Sequence, residues 1–171
     1  MQRLEGTRMS LMSTHRVTTT RGEFLDAIRN AFADAAAEGC REMWICDIDF
    51  ADWPLSESQV VENLTRWAYA HRKLTVLATT YEEFHRRHAR FVEWRRQWSH
   101  VVECRQLEEI EPGDMPSLLL APGIVTVRLL DRARYRASVS LEPADAVYCR
   151  EVVDAISQRS GEAFPATTLG L

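Results

Sequence analysis

Hydrophobic residues recur along this chain with two spacings, one typical of helices and one typical of buried strands. The capping sequence Thr20-Arg-Gly-Glu23 opens a segment in which apolar residues return every three or four positions, and Gly39 closes it. The continuous apolar run Met43–Ile48 then predicts a strand that is covered on both faces. Alternating helices and strands predict a parallel sheet with right-handed crossovers. The alternation continues with a helix over Ser56–His71, a strand over Leu74–Thr79, a helix from the capping sequence Thr80-Tyr-Glu-Glu83 to Trp98, and a strand over Val101–Leu107.

The pattern changes after residue 107, where the apolar runs become short and their connections tight. Pro143 suits the first turn of a final helix, Ala144–Gln158. The fold class is therefore predicted to be α/β, with three layers (α/β/α) around a mixed sheet whose antiparallel strands lie toward the C-terminus. The three antiparallel strands are predicted over Ser117–Leu120, Ile124–Leu130 and Arg134–Leu141. The inward face of the final helix is predicted to carry Tyr148, Val152, Ala155 and Ile156.

The length of 171 residues fits one domain with a sizeable core. We expect a flexible N-terminal arm over residues 1–19, a single α/β domain over residues 20–160 and a C-terminal tail over residues 161–171. Within the arm, His15–Thr19 is a candidate edge strand.

Charge and cysteine content narrow the class of protein. With 21 basic and 25 acidic side chains the net charge is −4, which gives no overall attraction to nucleic acid or to an anionic membrane. The four cysteines lack a Cys-x-x-Cys pair, as expected of reduced thiols, and Cys46 and Cys104 fall within predicted buried strands. Residues 1–19 lack the apolar core of a signal peptide, and no apolar run approaches the about 20 residues that span a bilayer. We therefore predict a cytoplasmic protein with no membrane segment and no cofactor.

Two carboxylates and two threonines follow the first two predicted strands and form the first candidate site. Asp47 and Asp49 end one strand, and Thr79 and Thr80 end the next, at the edge where α/β sheets usually bind ligands. One interpretation is that the acids cap a loop. The alternative is a magnesium-dependent phosphatase, because Asp-x-Asp after a strand resembles the opening motif of haloacid-dehalogenase-like enzymes.

That alternative needs further groups, namely a later lysine and an acidic pair. Lys73 precedes the threonines, and Leu130-Asp131-Arg132 supplies one acid beside an arginine. The sequence therefore predicts no catalytic set and no metal site around Asp47.

The third predicted helix carries aromatic residues in one stripe and arginines mostly outside it. Arg86, Arg87 and Arg90 are candidate contacts to an anion or to nucleic acid. The alternative is an aromatic core face with solvated arginines. His85 and His88 share one side of the helix, but two ligands do not make a zinc site, so no metal is predicted there. The aromatic stripe consists of Phe84, Phe91, Trp94 and Trp98.

The course from Thr20 to Ser160 resembles one half of a phospholipase D-like domain. It is especially similar to a group of bacterial phospholipase D-like domains of unknown function, some of them attached to acetyltransferases. The stretches that carry the resemblance are Arg21-Gly-Glu-Phe, Trp44-Ile-Cys-Asp-Ile-Asp and His85-Arg-Arg-His-Ala-Arg-Phe.

Active members of that superfamily carry the motif H-x-K-x4-D, whose His attacks phosphorus and whose Lys holds the oxyanion. The corresponding strand here, Met115–Gly123, contains no His, Lys or Asp. The H-x-K of His71-Arg-Lys73 lies at a helix end and has Ala78 in place of the Asp. The resemblance therefore implies a non-catalytic domain that acts by binding or association, with a homodimer or another protein as its partner. The phosphatase and a nucleic-acid-binding accessory module remain the alternatives.

Overall fold

Eight strands form one mixed sheet in the part of the chain that this computed structural model describes, residues 14–70 and 72–166. Their order across the sheet is β1-β7-β6-β5-β2-β3-β4-β8. The strands are β1 His15–Val17, β2 Glu42–Asp47, β3 Lys73–Ala78, β4 Val102–Gln106, β5 Leu118–Ala121, β6 Val125–Asp131, β7 Arg136–Ser140 and β8 Gly161–Glu162.

The centre of the sheet is parallel and its flanks are antiparallel, as the sequence predicts. β2, β3 and β4 run parallel, and Asp47 pairs with Ala78, so the carboxyl ends of β2 and β3 meet at one edge. β5 joins β2 in the antiparallel direction and is followed across the sheet by β6, β7 and β1. The edge strand expected within His15–Thr19 is confirmed and spans His15–Val17.

The helices follow the predicted order. The first begins as its capping sequence requires: Glu23 N–H donates to Thr20 Oγ1 at 3.1 Å, and the Glu23 carboxylate accepts from Thr19 N–H at 2.8 Å. Gly39 ends it with φ 78°, a left-handed conformation that suits glycine. The helices are α1 Arg21–Glu38, α2 Ser58–Ala68, α3 Phe84–Arg87, α4 Ala89–Gln97 and α5 Pro143–Arg159, with a short 3₁₀ helix at Pro112–Asp114.

Two hydrophobic cores lie on opposite faces of the sheet. Alternate residues of β2 point to opposite faces, so Met43 and Ile45 join the larger core under α1, α2 and α4. Trp44 and Cys46 join the smaller core, which α5 covers. This arrangement confirms the three-layer α/β/α fold.

The predicted third helix is interrupted, which the sequence analysis missed. α3 ends at Arg87 and α4 begins at Ala89, because His88 takes φ −129° and ψ 47°. Thr80 accepts a hydrogen bond from Glu82 N–H and forms a local turn, so the helix begins at Phe84, three residues later than the capping sequence indicated. The aromatic stripe is nevertheless buried at Phe84, Phe91 and Trp94, with Trp98 packed at its margin.

The inward face of α5 is rotated by about one residue from the prediction. Cys149, Val153 and Ile156 are buried, whereas Tyr148 is 51% exposed. The Tyr148 ring lies instead at the surface, under the guanidinium of Arg128 at 5.0 Å.

The predicted C-terminal tail begins with ordered structure. β8 pairs with the edge of β4, and the Phe164 ring stacks on Tyr81 with a centroid distance of 5.1 Å. The edge of β4 and the aromatic residues Tyr81 and Phe84 supply this packing, which has no periodic signature in the sequence. Residues 1–13 and 167–171 lie outside the described residues, and the domain boundaries stay a prediction.

Candidate functional site

The predicted acids and threonines lie beside each other at the carboxyl edge of β2 and β3. The Ile48 carbonyl accepts hydrogen bonds from the backbone N–H groups of Thr79 at 2.9 Å and Thr80 at 3.2 Å. These bonds extend the pairing of the two strands by one step beyond Asp47. The backbone therefore holds all four predicted residues in one local region.

Both oxygens of Asp47 are occupied by protein groups. Oδ2 accepts from the backbone N–H of Asp49 at 3.2 Å and of Phe50 at 2.8 Å. Oδ1 accepts from Arg132 Nη1 at 3.1 Å, and the Asp47 side chain is 2% exposed. Hydrogen bonds to a charged acceptor contribute about 1.5–3 kcal/mol each, so this carboxylate strongly stabilises the loop that follows β2.

The loop needs that support because Phe50 has φ 59°, a left-handed conformation that costs energy for a bulky residue. Its N–H is held by Asp47, and its carbonyl accepts from His88 Nε2 at 2.7 Å. The Phe50 ring is fully buried against Trp53 and Phe84. Asp47 and His88 thus fix one strained residue from its two sides.

His88 is a neutral structural group in this arrangement. Because a carbonyl only accepts, Nε2 carries the proton, and Nδ1 is buried without a partner in the described part of the chain. Protonation would place a second N–H in that buried position. Burial is accordingly the main cause of a lowered pKa of His88, which the bond to Phe50 partly opposes.

The other predicted residues also make local contacts. Asp49 Oδ1 accepts from Ala51 N–H at 2.9 Å, a short-range turn bond. The Thr79 carbonyl accepts from Gln106 Nε2 at 2.8 Å, while Thr79 Oγ1 is buried with no partner in the described residues. These contacts favour the loop-capping interpretation. Ligand binding by Asp47, Asp49, Thr79 and Thr80 stays a prediction.

Arg132 is the residue at this edge that sequence analysis missed. It comes from the turn between β6 and β7, 85 residues after Asp47, and its side chain is 43% exposed. The neighbouring Asp131 binds Arg134 at 3.1 Å, which lowers the pKa of Asp131. The only signal for Arg132 was its place in a charged hairpin turn.

The arrangement offers no open carboxylate pair for phosphoryl chemistry. The acid of the supposed later pair, Asp131, is bound to an arginine, and Asp47 is enclosed by backbone donors and Arg132. Within residues 14–70 and 72–166, no group of three or more His, Cys, Asp or Glu side chains has the geometry of a metal site. The phosphatase alternative is therefore not favoured.

The arginines predicted to contact an anion are bound within the protein. Glu83 accepts from Arg86 Nη2 at 2.7 Å and from Arg87 Nε at 2.6 Å, which lowers the pKa of Glu83. Arg90 Nη1 donates to the Ser56 carbonyl at 2.8 Å. An anion at these positions would compete with existing partners, and the anion contact stays a prediction.

Comparison with known proteins identifies the fold but no family. No protein-family profile and no curated protein sequence matches the chain. TrmBL2, described as an archaeal chromatin protein whose structure shows a novel mode of DNA binding, is similar with a TM-score of 0.64 and 12% identity, over 95% of this chain and 60% of TrmBL2. The chain therefore spans about 60% of the length of that protein.

A second solved structure is Nuc from Salmonella typhimurium, a phospholipase D family member. Its TM-score is 0.52 at 9% identity, over 87% of this chain and 98% of Nuc. At such identities the similarity shows the fold alone. The predicted phospholipase D-like fold is thus supported by a structure of that family.

The strand β5, which the resemblance pairs with the catalytic strand of active members, is buried in this structure. β5 consists of Leu118–Ala121, all four residues buried, and Met115 and Ser117 before it are buried as well. His71 lies outside the described residues, so the His71-Arg-Lys73 sequence is not placed. No helix of the described segments is long and apolar enough to cross a membrane.

Proposed function

We propose that this chain is a non-catalytic phospholipase D-like domain that acts by binding or association. The observation that carries the proposal is the composition of Met115–Gly123, which has no nucleophilic His, no Lys and no Asp. Without a nucleophile and an oxyanion clamp, covalent phosphoryl transfer by the route of active members is unavailable. The phosphatase alternative depends on Asp47 instead. Because that carboxylate is enclosed by the protein, it also supports a non-catalytic assignment.

Nucleic acid is a second candidate class of partner. The described DNA binding of TrmBL2, whose fold resembles this one, supports it. The net charge of −4 places any such contact on a local basic surface rather than on the protein as a whole.

Activity assays test the non-catalytic assignment. The purified chain is expected to hydrolyse neither phosphomonoester nor phosphodiester substrates, with or without magnesium. The matched controls are Asp47→Ala and His71→Ala, measured in parallel with the wild type. Turnover by the wild type that either substitution abolishes would contradict the proposal.

Association is proposed to take the form of a symmetric homodimer. Active phospholipase D-like folds pair two halves, and the described chain contains one such half, so a closed two-fold contact would cover the surface that otherwise meets the twin. Exposed apolar side chains at Leu130, Val147 and Tyr148 support a contact on the described surface. Sedimentation equilibrium at micromolar concentration is expected to give twice the chain mass of 19.7 kDa, and the single-chain mass at all concentrations would contradict it.

A further inference from the structure

A basic cleft lies at the opposite edge of the sheet, where β2 and β3 begin. Its volume is about 1110 Å³, and it opens between the end of α2, the segment before β4 and the turn between β5 and β6. We call it the amino-edge cleft. Its charged lining consists of Arg41, Glu42, Arg72, Lys73 and Arg150, and its aromatic lining of Tyr69, Trp98 and His100.

The cleft is positively charged although the whole chain is negative. Three arginines and one lysine line the cleft beside one carboxylate, in a protein whose net charge is −4. A concave surface of one sign concentrates counter-ions of the other sign. The local field therefore favours an anionic ligand.

Two of the four cations already have acidic partners, and two do not. Lys73 pairs with Glu103 at 3.1 Å, and Arg150 lies 3.2 Å from Asp154 and 3.6 Å from Glu42. Arg41 and Arg72 pair with no carboxylate in the described part of the chain, and Arg41 is exposed. This distinguishes them from Arg86 and Arg87, whose guanidinium groups share Glu83.

Arg72 is also held in place. Its Nε donates to the Trp67 carbonyl at 3.2 Å, and a Cβ added at Gly39 would lie 2.9 Å from its Nη2. The guanidinium therefore packs closely over Gly39, a residue whose φ of 78° favours glycine. A fixed guanidinium loses less conformational entropy when it binds an oxyanion than a mobile one does.

Aromatic rings adjoin these arginines. Tyr69 is 77% exposed, an unusual position for a large ring, and it meets Trp98 edge to face with centroids 5.3 Å apart. The His100 ring is tilted relative to Trp98, with their centroids 5.7 Å apart. The cleft therefore combines unpaired guanidinium groups with ring surfaces that a planar ligand can cover.

We propose that the amino-edge cleft binds a nucleotide, either free or as a unit of single-stranded nucleic acid. The arginines would hold the phosphate, since a guanidinium fork matches phosphate oxygens, and the exposed aromatic rings would stack with the base. This inference rests on the proposed binding function and names the class of ligand. Both sources present the same chemistry, and the experiment below distinguishes them.

Fluorescence anisotropy of a short labelled oligothymidylate tests the site, with unlabelled ATP and AMP as competitors. Saturable binding that weakens with added salt is expected. The double substitution Arg41→Gln/Arg72→Gln should raise the Kd about a hundredfold, because each charge-assisted hydrogen bond is worth a factor of about ten. Tyr69→Ala should raise the Kd by a further factor of about ten through loss of stacking.

The matched control is Arg16→Gln/Arg134→Gln, which removes the same charge from two exposed arginines outside the cleft. Its Kd should equal that of the wild type. The single substitution Arg41→Gln serves as a second probe if loss of Arg72 disturbs the fold, because Arg41 is exposed and makes no ion pair in the described residues. Circular dichroism melting verifies that each variant is folded.

The competitors decide the source of the ligand. Competition by mononucleotides at concentrations near the oligonucleotide Kd indicates a free nucleotide, whereas weak competition indicates single-stranded nucleic acid. Either result supports the site. No saturable binding of any of these probes, equal loss in the cleft and control variants, or an unchanged Kd in the Tyr69→Ala variant would overturn it. Phosphatase or phosphodiesterase turnover would overturn the non-catalytic assignment separately, since that assay does not involve the cleft variants.

Discussion

The two edges of the parallel strands differ in how far their polar side chains are already bonded. At the carboxyl edge, Asp47 uses both oxygens on backbone N–H groups and Arg132. At the amino edge, Arg41 and Arg72 face a cleft without a carboxylate partner among the described residues. A charged group whose donors or acceptors are already bound within the protein stabilises the fold, whereas an unpaired one in a cleft remains available to a ligand.

The comparison also extends to the aromatic residues. Near the carboxyl edge, the rings of Phe50, Phe84 and Phe91 are fully buried and make the core. At the amino edge, Tyr69 leaves 77% of its surface exposed. The edge that sequence patterns favour for chemistry is therefore the better packed of the two. The proposed binding surface lies at the other edge, where sequence analysis placed no candidate ligand site.

The largest expected effect is the loss of stability when a buried aromatic ring is removed, compared with the removal of an exposed one. Trp94 is 3% exposed, so Trp94→Ala should lower the free energy of unfolding by about 3–5 kcal/mol. Tyr69→Ala is the matched aromatic control and should change it by less than about 0.5 kcal/mol, as usual for surface positions. Urea denaturation measures both. Equal stability losses would mean that Tyr69 is part of the core and not of a binding surface.

Asp47 is expected to have the next largest effect. Asp47→Ala removes the acceptor for two backbone N–H groups that hold the strained Phe50 and should cost about 2–4 kcal/mol. Asp49→Ala removes a single turn bond and should cost about 1 kcal/mol. The unfolding midpoints of the two variants give the comparison. A stable Asp47→Ala protein would show that this carboxylate is not structural.

The buried His88 makes stability depend on pH. Because burial lowers its pKa in the folded state, the unfolded chain binds the extra proton first as the pH falls. The contribution of His88 to stability is therefore fully present above pH 6.5, the ordinary pKa of histidine. It decreases as the pH falls from there to the lower pKa of the folded state. Within the structure, Arg87 acts in the same sense as burial, while Glu83 and Asp49 oppose it.

The control for this prediction is His88→Gln, which keeps an N–H donor for the Phe50 carbonyl and has no titrating ring. Chemical denaturation at several pH values above and below 6.5 gives the free energy of unfolding. This free energy should depend less steeply on pH in the variant than in the wild type. Identical slopes in wild type and variant would exclude His88 as the titrating group.

Thiol reactivity gives the smallest effect and reports on the cleft directly. Cys40 is half-buried and lines the amino-edge cleft, whereas Cys46, Cys104 and Cys149 are buried. Burial raises the pKa of Cys40 and raises that of Cys104 to about 11, so little thiolate exists at neutral pH. Titration of the native chain with a disulfide reagent should find one slowly reacting thiol, faster at higher pH and protected by a ligand of the cleft. Rapid reaction of two or more native thiols would contradict these positions.

Much of the fold could be predicted because hydrophobic periodicity is a local property. The capping sequence at Thr20, the left-handed Gly39 and the continuous apolar strand Met43–Ile48 each act within a few residues. Three local signals failed for physical reasons. The capping sequence at Thr80 forms a local turn instead of starting a helix. His88 interrupts a helix to reach the Phe50 carbonyl, and Cys149 takes the buried position predicted for Tyr148.

The sequence by itself determined which elements form, that the central sheet is parallel, and that Asp47 and Asp49 follow a strand at an edge suited to ligands. Only the tertiary structure decided whether those groups are available. Asp47 is enclosed because Arg132 approaches from 85 residues away, and no local pattern encodes that distance. The amino-edge cleft is assembled from Arg41, Tyr69, Arg72 and Trp98. These residues belong to three helix-to-strand connections, which meet because parallel strands return to the same edge after each helix.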